Sequence, residues 1–165
     1  FFRSFNLPVK IVRPFNIYGP RQSARAIIPT IGIQILNGLK KIKLGNLNAK
    51  RDLTFVKDTV EGFVEISKNE IFNGDSVKFG MNEEISIGDL ASKISKILNQ
   101  KIEILNDKTR LRPGKSEVDR LMCDNSKLTK NTNWKPKYNL DKGLKETLKW
   151  LEENKLLFKH EIYNK

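Results

Sequence analysis

The stretch "RPFNIYGPRQSARAIIP", residues 13–29, decides how this sequence is read. Upstream, "PVKIVRPF" (8–15) carries a short β-branched apolar run ended by proline, the pattern of a buried strand. Gly19-Pro20 then forces a turn, and "AIIPTIGIQILNGL" (26–39) is apolar and long enough for a helix. Pro29 restricts that helix to starting within a residue or two of Ala26, because proline is tolerated only in a first turn. Three arginines (Arg13, Arg21 and Arg25), an asparagine and a tyrosine therefore cluster where a strand hands over to a helix.

The same alternation continues outward. "KIKLG" (41–45) and "RDLTFV" (51–56) have the composition of short strands, and "KDTVEGFVEISKN" (57–69) places Val60, Phe63, Val64 and Ile66 in a helical pattern. Asp58 stands where that helix begins and is read as its N-cap. "SVKFG" (76–80) is a further strand. "SIGDLASKISKILN" (86–99) opens on Ser86 and Asp89, a capping-box-like pair, and carries an apolar stripe of Ile87, Leu90, Ile94, Ile97 and Leu98. "KIEIL" (101–105) returns as a strand, and the aperiodic "NDKTRLRPGKSEVDR" (106–120) is a long polar loop. "DNSKLTKNTNW" (124–134) reads as a short helix. "NLDKGLKETLKWLEENKLLF" (139–158) reads as a final amphipathic helix with Leu144, Leu148 and Leu151 on one side, capped by Asn139 or Asp141. Strands alternating with helices make the class α/β.

Composition narrows the functions. The chain has 165 residues, 38% hydrophobic and 30% charged, which suits one globular domain. No apolar run approaches the ~20 residues of a membrane helix, and "FFRSFNLPVK" lacks the layout of a signal peptide. Cys123 is the only cysteine and His160 the only histidine, so neither an intrachain disulfide nor a Cys/His metal spacing exists, and a cytoplasmic protein is expected. The net charge of +12 comes from lysines scattered from Lys10 to Lys165, without a basic block or interleaved aromatics. That distribution favours solvated faces and a small anion site over a nucleic-acid surface.

The turn itself suits an anion. Arginine presents a planar fork of donors to phosphate oxygens, and the start of a helix favours negative charge. At the carboxyl end of a strand in an open α/β sheet, such a turn sits where ligands bind. Solvated arginines on an ordinary turn would give the same composition, so spacing has to decide.

The spacing R-x-x-N-x-Y-G-P after a strand resembles the extended short-chain dehydrogenase/reductase family, the NAD-dependent epimerases and dehydratases of nucleotide sugars. "KRDLTFVKDTVEGF" (50–63) resembles the family's R-D-x-x-x-V-x-D segment. "RLRPGKSEVDRLMCDNSKLTKNTNWKPKYNLDKGLKETLKWL" (110–151) resembles its closing stretch: Arg-Pro, Glu-Val, Asp-x-Ser-Lys, then Trp-x-Pro before the last helix. The "PRQSARAIIPT" portion is most similar to the bacterial UDP-N-acetylglucosamine 4,6-dehydratases of the legionaminic-acid type, which act in surface-sugar biosynthesis.

The resemblance implies a Rossmann-like fold with a small substrate-binding subdomain. It also implies a nucleotide-sugar substrate, NAD as cofactor and a homodimer when full length, with no nucleic acid and no membrane as partner. It places Asn16 and Arg51 on the diphosphate, Pro14 near the nicotinamide end of NAD, and Ala26 and Ile27 against the nucleotide. Lys43 and Leu44 fall beside the base, and Arg112 and Glu117 hold phosphate and ribose. Two local alternatives remain open: Arg51 pairs with Asp52 or Asp58, and Glu117 is a surface residue.

The family's glycine-rich cofactor fingerprint does not occur in this sequence. Its catalytic Tyr-x-x-x-Lys is expected upstream of Phe1, so no catalytic residue is assigned, and residues 1–165 are read as the substrate-binding C-terminal portion of a larger enzyme, inactive alone. "YNLDK" (138–142) matches the spacing, but Tyr138 would lie outside the last helix and so off any shared helical face with Lys142. In the family NAD takes a hydride from C4 of the sugar, water leaves across C5 and C6, and the hydride returns to C6. A 4-epimerase would use the same binding loops. A non-catalytic basic module for nucleotides or nucleic acid is the reading from a different class.

Overall fold

The computed structural model describes residues 1–111 and 118–158, so Arg112, Glu117 and His160 lie outside the described residues. The strands are β1 (Ile11–Pro14), β2 (Asn16–Tyr18), β3 (Lys41–Leu44), β4 (Lys50–Arg51), β5 (Leu53–Phe55), β6 (Ser76–Phe79), β7 (Ile85–Ser86), β8 (Glu103–Asn106) and β9 (Arg120–Leu121). The helices are α1 (Phe2–Phe5), α2 (Ile27–Leu36), α3 (Val56–Lys68), α4 (Ile87–Ile97), α5 (Ser126–Asn131) and α6 (Leu140–Glu153). β1 pairs with β6, β2 with β5, β3 with β8 and β4 with β9, all parallel, while β4 and β7 are antiparallel. Parallel pairs joined through helices are the α/β class expected from the alternation.

The larger core joins α2, α4 and α6 to β2, β3 and β5 through Tyr18, Ile31, Ile42, Phe55, Leu90, Ile94, Leu144 and Leu148. A smaller one gathers Ile66, Phe72, Val77, Phe79, Leu128 and Trp134 under β6. Pro29 is the third residue of α2, inside the first turn. Ser86 caps α4, accepting from the Asp89 amide at 3.0 Å and donating its hydroxyl to the Asp89 carboxylate at 2.6 Å. Asn139, rather than Asp141, caps α6 by accepting from the Lys142 amide at 2.9 Å. Tyr138 therefore precedes the helix, and Lys142 lies over its ring, 4.0 Å from the centroid, as a cation–π contact.

Three expectations need correcting. The run 8–15 is not a buried strand: only residues 11–14 are extended as β1, and Ile11 is 53% exposed. Among the described residues β1 pairs on one side alone, with β6, so its other edge is uncovered. Of the apolar pattern on α3, only Ile66 faces inward. Val60, Phe63 and Val64 are exposed, while Asp58, Thr59, Gly62 and Ile66 are buried. Gly62 explains the reversal: a β-carbon there would lie 1.8 Å from Cε2 of Phe79, so the helix docks on its smallest residue and the ring fills the space.

Asp58, finally, is not the N-cap. Phe55 holds that position, and Asp58 sits one turn in, fully buried. Its carboxylate accepts the Lys137 amide at 2.9 Å and the Tyr138 amide at 3.0 Å, tying the approach to α6 onto α3. The Trp134 indole N–H donates to its carbonyl at 3.1 Å.

Candidate functional site

A cleft of 480 Å3 opens where β2, the 22–28 turn, β3, β4 and the 107–110 turn converge. The strand-to-helix handover builds one wall. Asn16 opens β2, the chain turns through Gly19-Pro20, and Ala26, Ile27 and Ile28 begin α2. Ala26, as N-cap, contributes no side-chain oxygen, and among the described residues no side chain caps the first-turn amides, so the positive end of the helix dipole faces this region. The opposite wall is Leu44, Gly45 and Asn46 after β3, with Ala49, Arg51 and Leu53.

Among the described residues the lining holds three arginines, Arg25, Arg51 and Arg110, and no carboxylate. Each is set differently. Arg51 donates Nη1 to the carbonyls of Lys50 (2.8 Å) and Val118 (2.7 Å). Arg110 is largely buried and donates Nε to Asp107 Oδ2 at 3.2 Å. Asp107 also accepts the Thr109 amide at 2.9 Å, which fixes the turn that carries Arg110. The Thr109 bonds are the main reason its carboxyl lies below its ordinary value, with Arg110 adding to the effect. Gly45 lets that turn approach, since a β-carbon there would come within 2.6 Å of the Arg110 carbonyl oxygen.

Asn16 donates Nδ2 to the Asp52 carbonyl at 3.1 Å, which fixes its carboxamide and turns its oxygen elsewhere. Gln22 donates Nε2 to the Ile17 carbonyl at 2.9 Å, and its buried Oε1 has no partner among the described residues. Asp52, 0% exposed, does not spend its carboxylate on the neighbouring arginine. It accepts main-chain amides of Met81 (2.9 Å), Asn82 (2.9 Å) and Cys123 (3.1 Å). Burial pushes its carboxyl above its ordinary value, and those amides pull it back. Beside it the Cys123 thiol is pushed up to about 12, first by burial and then by the Asp52 charge, so it stays protonated and unreactive at neutral pH.

Of the residues the sequence pointed to, Asn16, Ala26, Ile27, Leu44 and Arg51 line this one cleft. Lys43 does not: it is exposed, and its main chain is held by buried Gln34, whose Oε1 accepts the Lys43 amide at 2.9 Å. Pro14 lies on exposed β1, outside the cleft. Arg25, one of the three arginines clustered at the opening turn, lines the cleft as well, and so do Gln22 and Arg110, which were not singled out from sequence. Gln22 stands inside the same turn, between the arginines on which the reading rested; nothing local marks Arg110.

A charge-bearing, partly apolar cleft of this size suits a small anionic ligand. The sequence matches the family model described as GDP-mannose 4,6 dehydratase over residues 1–147. It is 32% identical to a UDP-N-acetyl-alpha-D-glucosaminuronate decarboxylase of Bacillus cytotoxicus, over 89% of this chain and 47% of that protein. The fold is shared with dTDP-glucose 4,6-dehydratase of Bacillus anthracis, solved in complex with NAD (TM-score 0.79, 27% identity, 94% of this chain and 48% of that one). It is shared also with UDP-glucuronic acid 4-epimerase of Bacillus cereus, solved with UDP-glucuronic acid and NAD (TM-score 0.79, 25% identity, 93% and 48%). The chain spans about half the length of these relatives.

Proposed function

Because the chain belongs to the GDP-mannose 4,6 dehydratase family, among the NAD-dependent epimerases and dehydratases with an extended Rossmann-like fold, we propose that it builds the nucleotide-sugar site of a 4,6-dehydratase. The proposed substrate is UDP-N-acetylglucosamine. The observation that carries the reading is the convergence of Asn16, Arg25, Arg51 and Arg110 in a cleft whose described lining holds no acid. Among the described residues, Asp107 stands behind Arg110 as its ion-pair partner.

In this reading Arg51 and Arg110 hold the diphosphate from fixed positions, and the open end of α2 adds its dipole. Leu44, Ala49, Leu53 and Ile87 provide apolar surface for the base and exclude water. Gln22 Oε1 offers an acceptor to a sugar or base N–H or O–H. Toward NAD the described residues present Pro14 at the exposed carboxyl end of β1 and no glycine-rich phosphate loop, so they suit an edge of the cofactor and not its full grip. NAD, when bound, supplies the hydride transfers. The catalytic groups, a cytoplasmic location and a dimer belong to the same proposal.

The test is calorimetry of UDP-N-acetylglucosamine and UDP on the whole gene product. A hydrogen bond to a charged group is worth about 1.5–3 kcal/mol, so Arg51→Ala should weaken binding roughly ten- to a hundredfold. Unchanged affinity would remove Arg51 from the site. Duplex DNA provides the control. Its binding should vanish near a physiological ionic strength of about 0.15 M, while UDP binding persists. The reverse result would favour a basic binding module. The solved 4-epimerase with the same fold makes 4-epimerase the second reading. Product analysis separates the two, a 4-keto-6-deoxy sugar against a C4 epimer.

A further inference from the structure

Asp52 joins β2, the turn after β6 and the segment at β9 beside the cleft, yet it is not among the cleft's lining residues. Its carboxylate takes the amides of Met81 and Asn82 at the turn after β6, and the amide of Cys123 just beyond β9. Its own amide donates to the Leu121 carbonyl at 2.8 Å, and its carbonyl receives Asn16 Nδ2. Arg51, its neighbour, is anchored on Val118, at the other end of the segment leading into β9. A second, small cavity is lined by Arg51 together with Met81, whose amide Asp52 holds, and with Glu83 and Glu84 just after that turn.

We infer that Asp52 is a positioning residue for the nucleotide-sugar cleft: by binding three main-chain amides from two remote segments, it sets the placement of Asn16 and Arg51 without touching the ligand. The inference rests on the proposed nucleotide-sugar reading of the cleft. The physical argument is that a carboxylate with both oxygens engaged in a dry junction has one position available to it. Residues 51 and 52 then inherit that position, and Asn16 is read off the Asp52 carbonyl. Asparagine is nearly isosteric, but its NH2 group would face an N–H donor where a carboxylate oxygen accepted one. Asp52→Asn therefore keeps the shape and breaks the junction.

The experiment is a double-mutant cycle on UDP affinity in the whole gene product, with thermal denaturation run alongside. Asp52→Asn should weaken UDP binding roughly tenfold or more in the folded protein, and the effect should be smaller in an Asn16→Ala or an Arg51→Ala background, since each removes one of the two groups that Asp52 places. That non-additivity is what a merely structural carboxylate would not produce. Asp52→Glu keeps charge and acceptors but lengthens the arm by one methylene; it should give a smaller loss with the same coupling, and it carries the test if Asp52→Asn does not fold. A lowered melting temperature with parental UDP affinity, or losses that simply multiply with Asn16→Ala, overturns the inference. A parent protein that fails to bind UDP instead refutes the nucleotide-sugar reading itself, and the inference falls with it.

Discussion

Replacing Asp58 with serine distinguishes a helix cap from a latch. At an N-cap the two residues are close to interchangeable, so a capping role predicts a change of a few tenths of a kcal/mol. The structure predicts otherwise. The carboxylate of Asp58, 0% exposed, spans two amides, Lys137 at 2.9 Å and Tyr138 at 3.0 Å. A serine hydroxyl is one oxygen on a shorter arm and cannot serve both. Each hydrogen bond to a charged group contributes about 1.5–3 kcal/mol, so losing two removes about 3–4 kcal/mol once partial compensation by water is allowed. That is a large part of the 5–15 kcal/mol typical of a domain. At this size it lowers the melting temperature by roughly 6–16 °C. Urea denaturation followed by circular dichroism gives the magnitude, and amide exchange at Lys137 and Tyr138 shows whether the loss arises at the latch. A loss below about 1 kcal/mol, with both amides still protected, would refute the reasoning.

Gly62→Ala should destabilise the protein by about 1–3 kcal/mol or more in the same urea assay, because the new methyl meets the buried Phe79 ring; a neutral result would mean that α3 lifts off the sheet freely. Acid should weaken the fold. Asp75, Glu84, Asp107, Asp124 and Glu146 are held below their ordinary values, chiefly by hydrogen bonds from Lys127, Arg120, Thr109, Ser126 and Lys57 respectively. Their contributions are present above the unfolded carboxylate values and are lost as pH falls through the lowered ones. Asp52, raised by burial, works the other way, its contribution declining as pH rises from its ordinary 3.8 through its raised value. Among the described residues, five lowered carboxylates against one raised predict a melting temperature that falls on acidification below about pH 4, and a flat or rising profile would contradict that balance.

Much of the fold was legible because its signals are local. The Ser86–Asp89 pair, the first-turn position of Pro29 and the leucines of α6 are all patterns within one helix, and each helix forms where its pattern stands. The outward turn of α3 was not legible, since the face it buries, Asp58-Thr59-Gly62-Ile66, looks polar until Phe79 is seen to need the space at Gly62. β2 escaped notice because three residues carry too little periodicity. In the cleft, Asn16, Ala26, Ile27, Leu44 and Arg51 came from the family resemblance. Arg110 came from tertiary placement, through the close approach of its turn to Gly45. The roles of Asp52 and Asp58 were hidden for a related reason: their partners are main-chain groups, which no side-chain pattern reports.

That choice of partner has an evolutionary consequence. An amide N–H is carried by every residue except proline, so a carboxylate that grips amides places no demand on the identity of what it grips. Met81, Asn82, Cys123, Lys137 and Tyr138 can drift in sequence while Asp52 and Asp58 stay fixed, and the two sides of each latch have no reason to covary. Proline is the one residue the latches exclude at those five positions. Mutational scanning there should show a single forbidden substitution common to all of them, set in an otherwise permissive background wherever the side chain has no other duty.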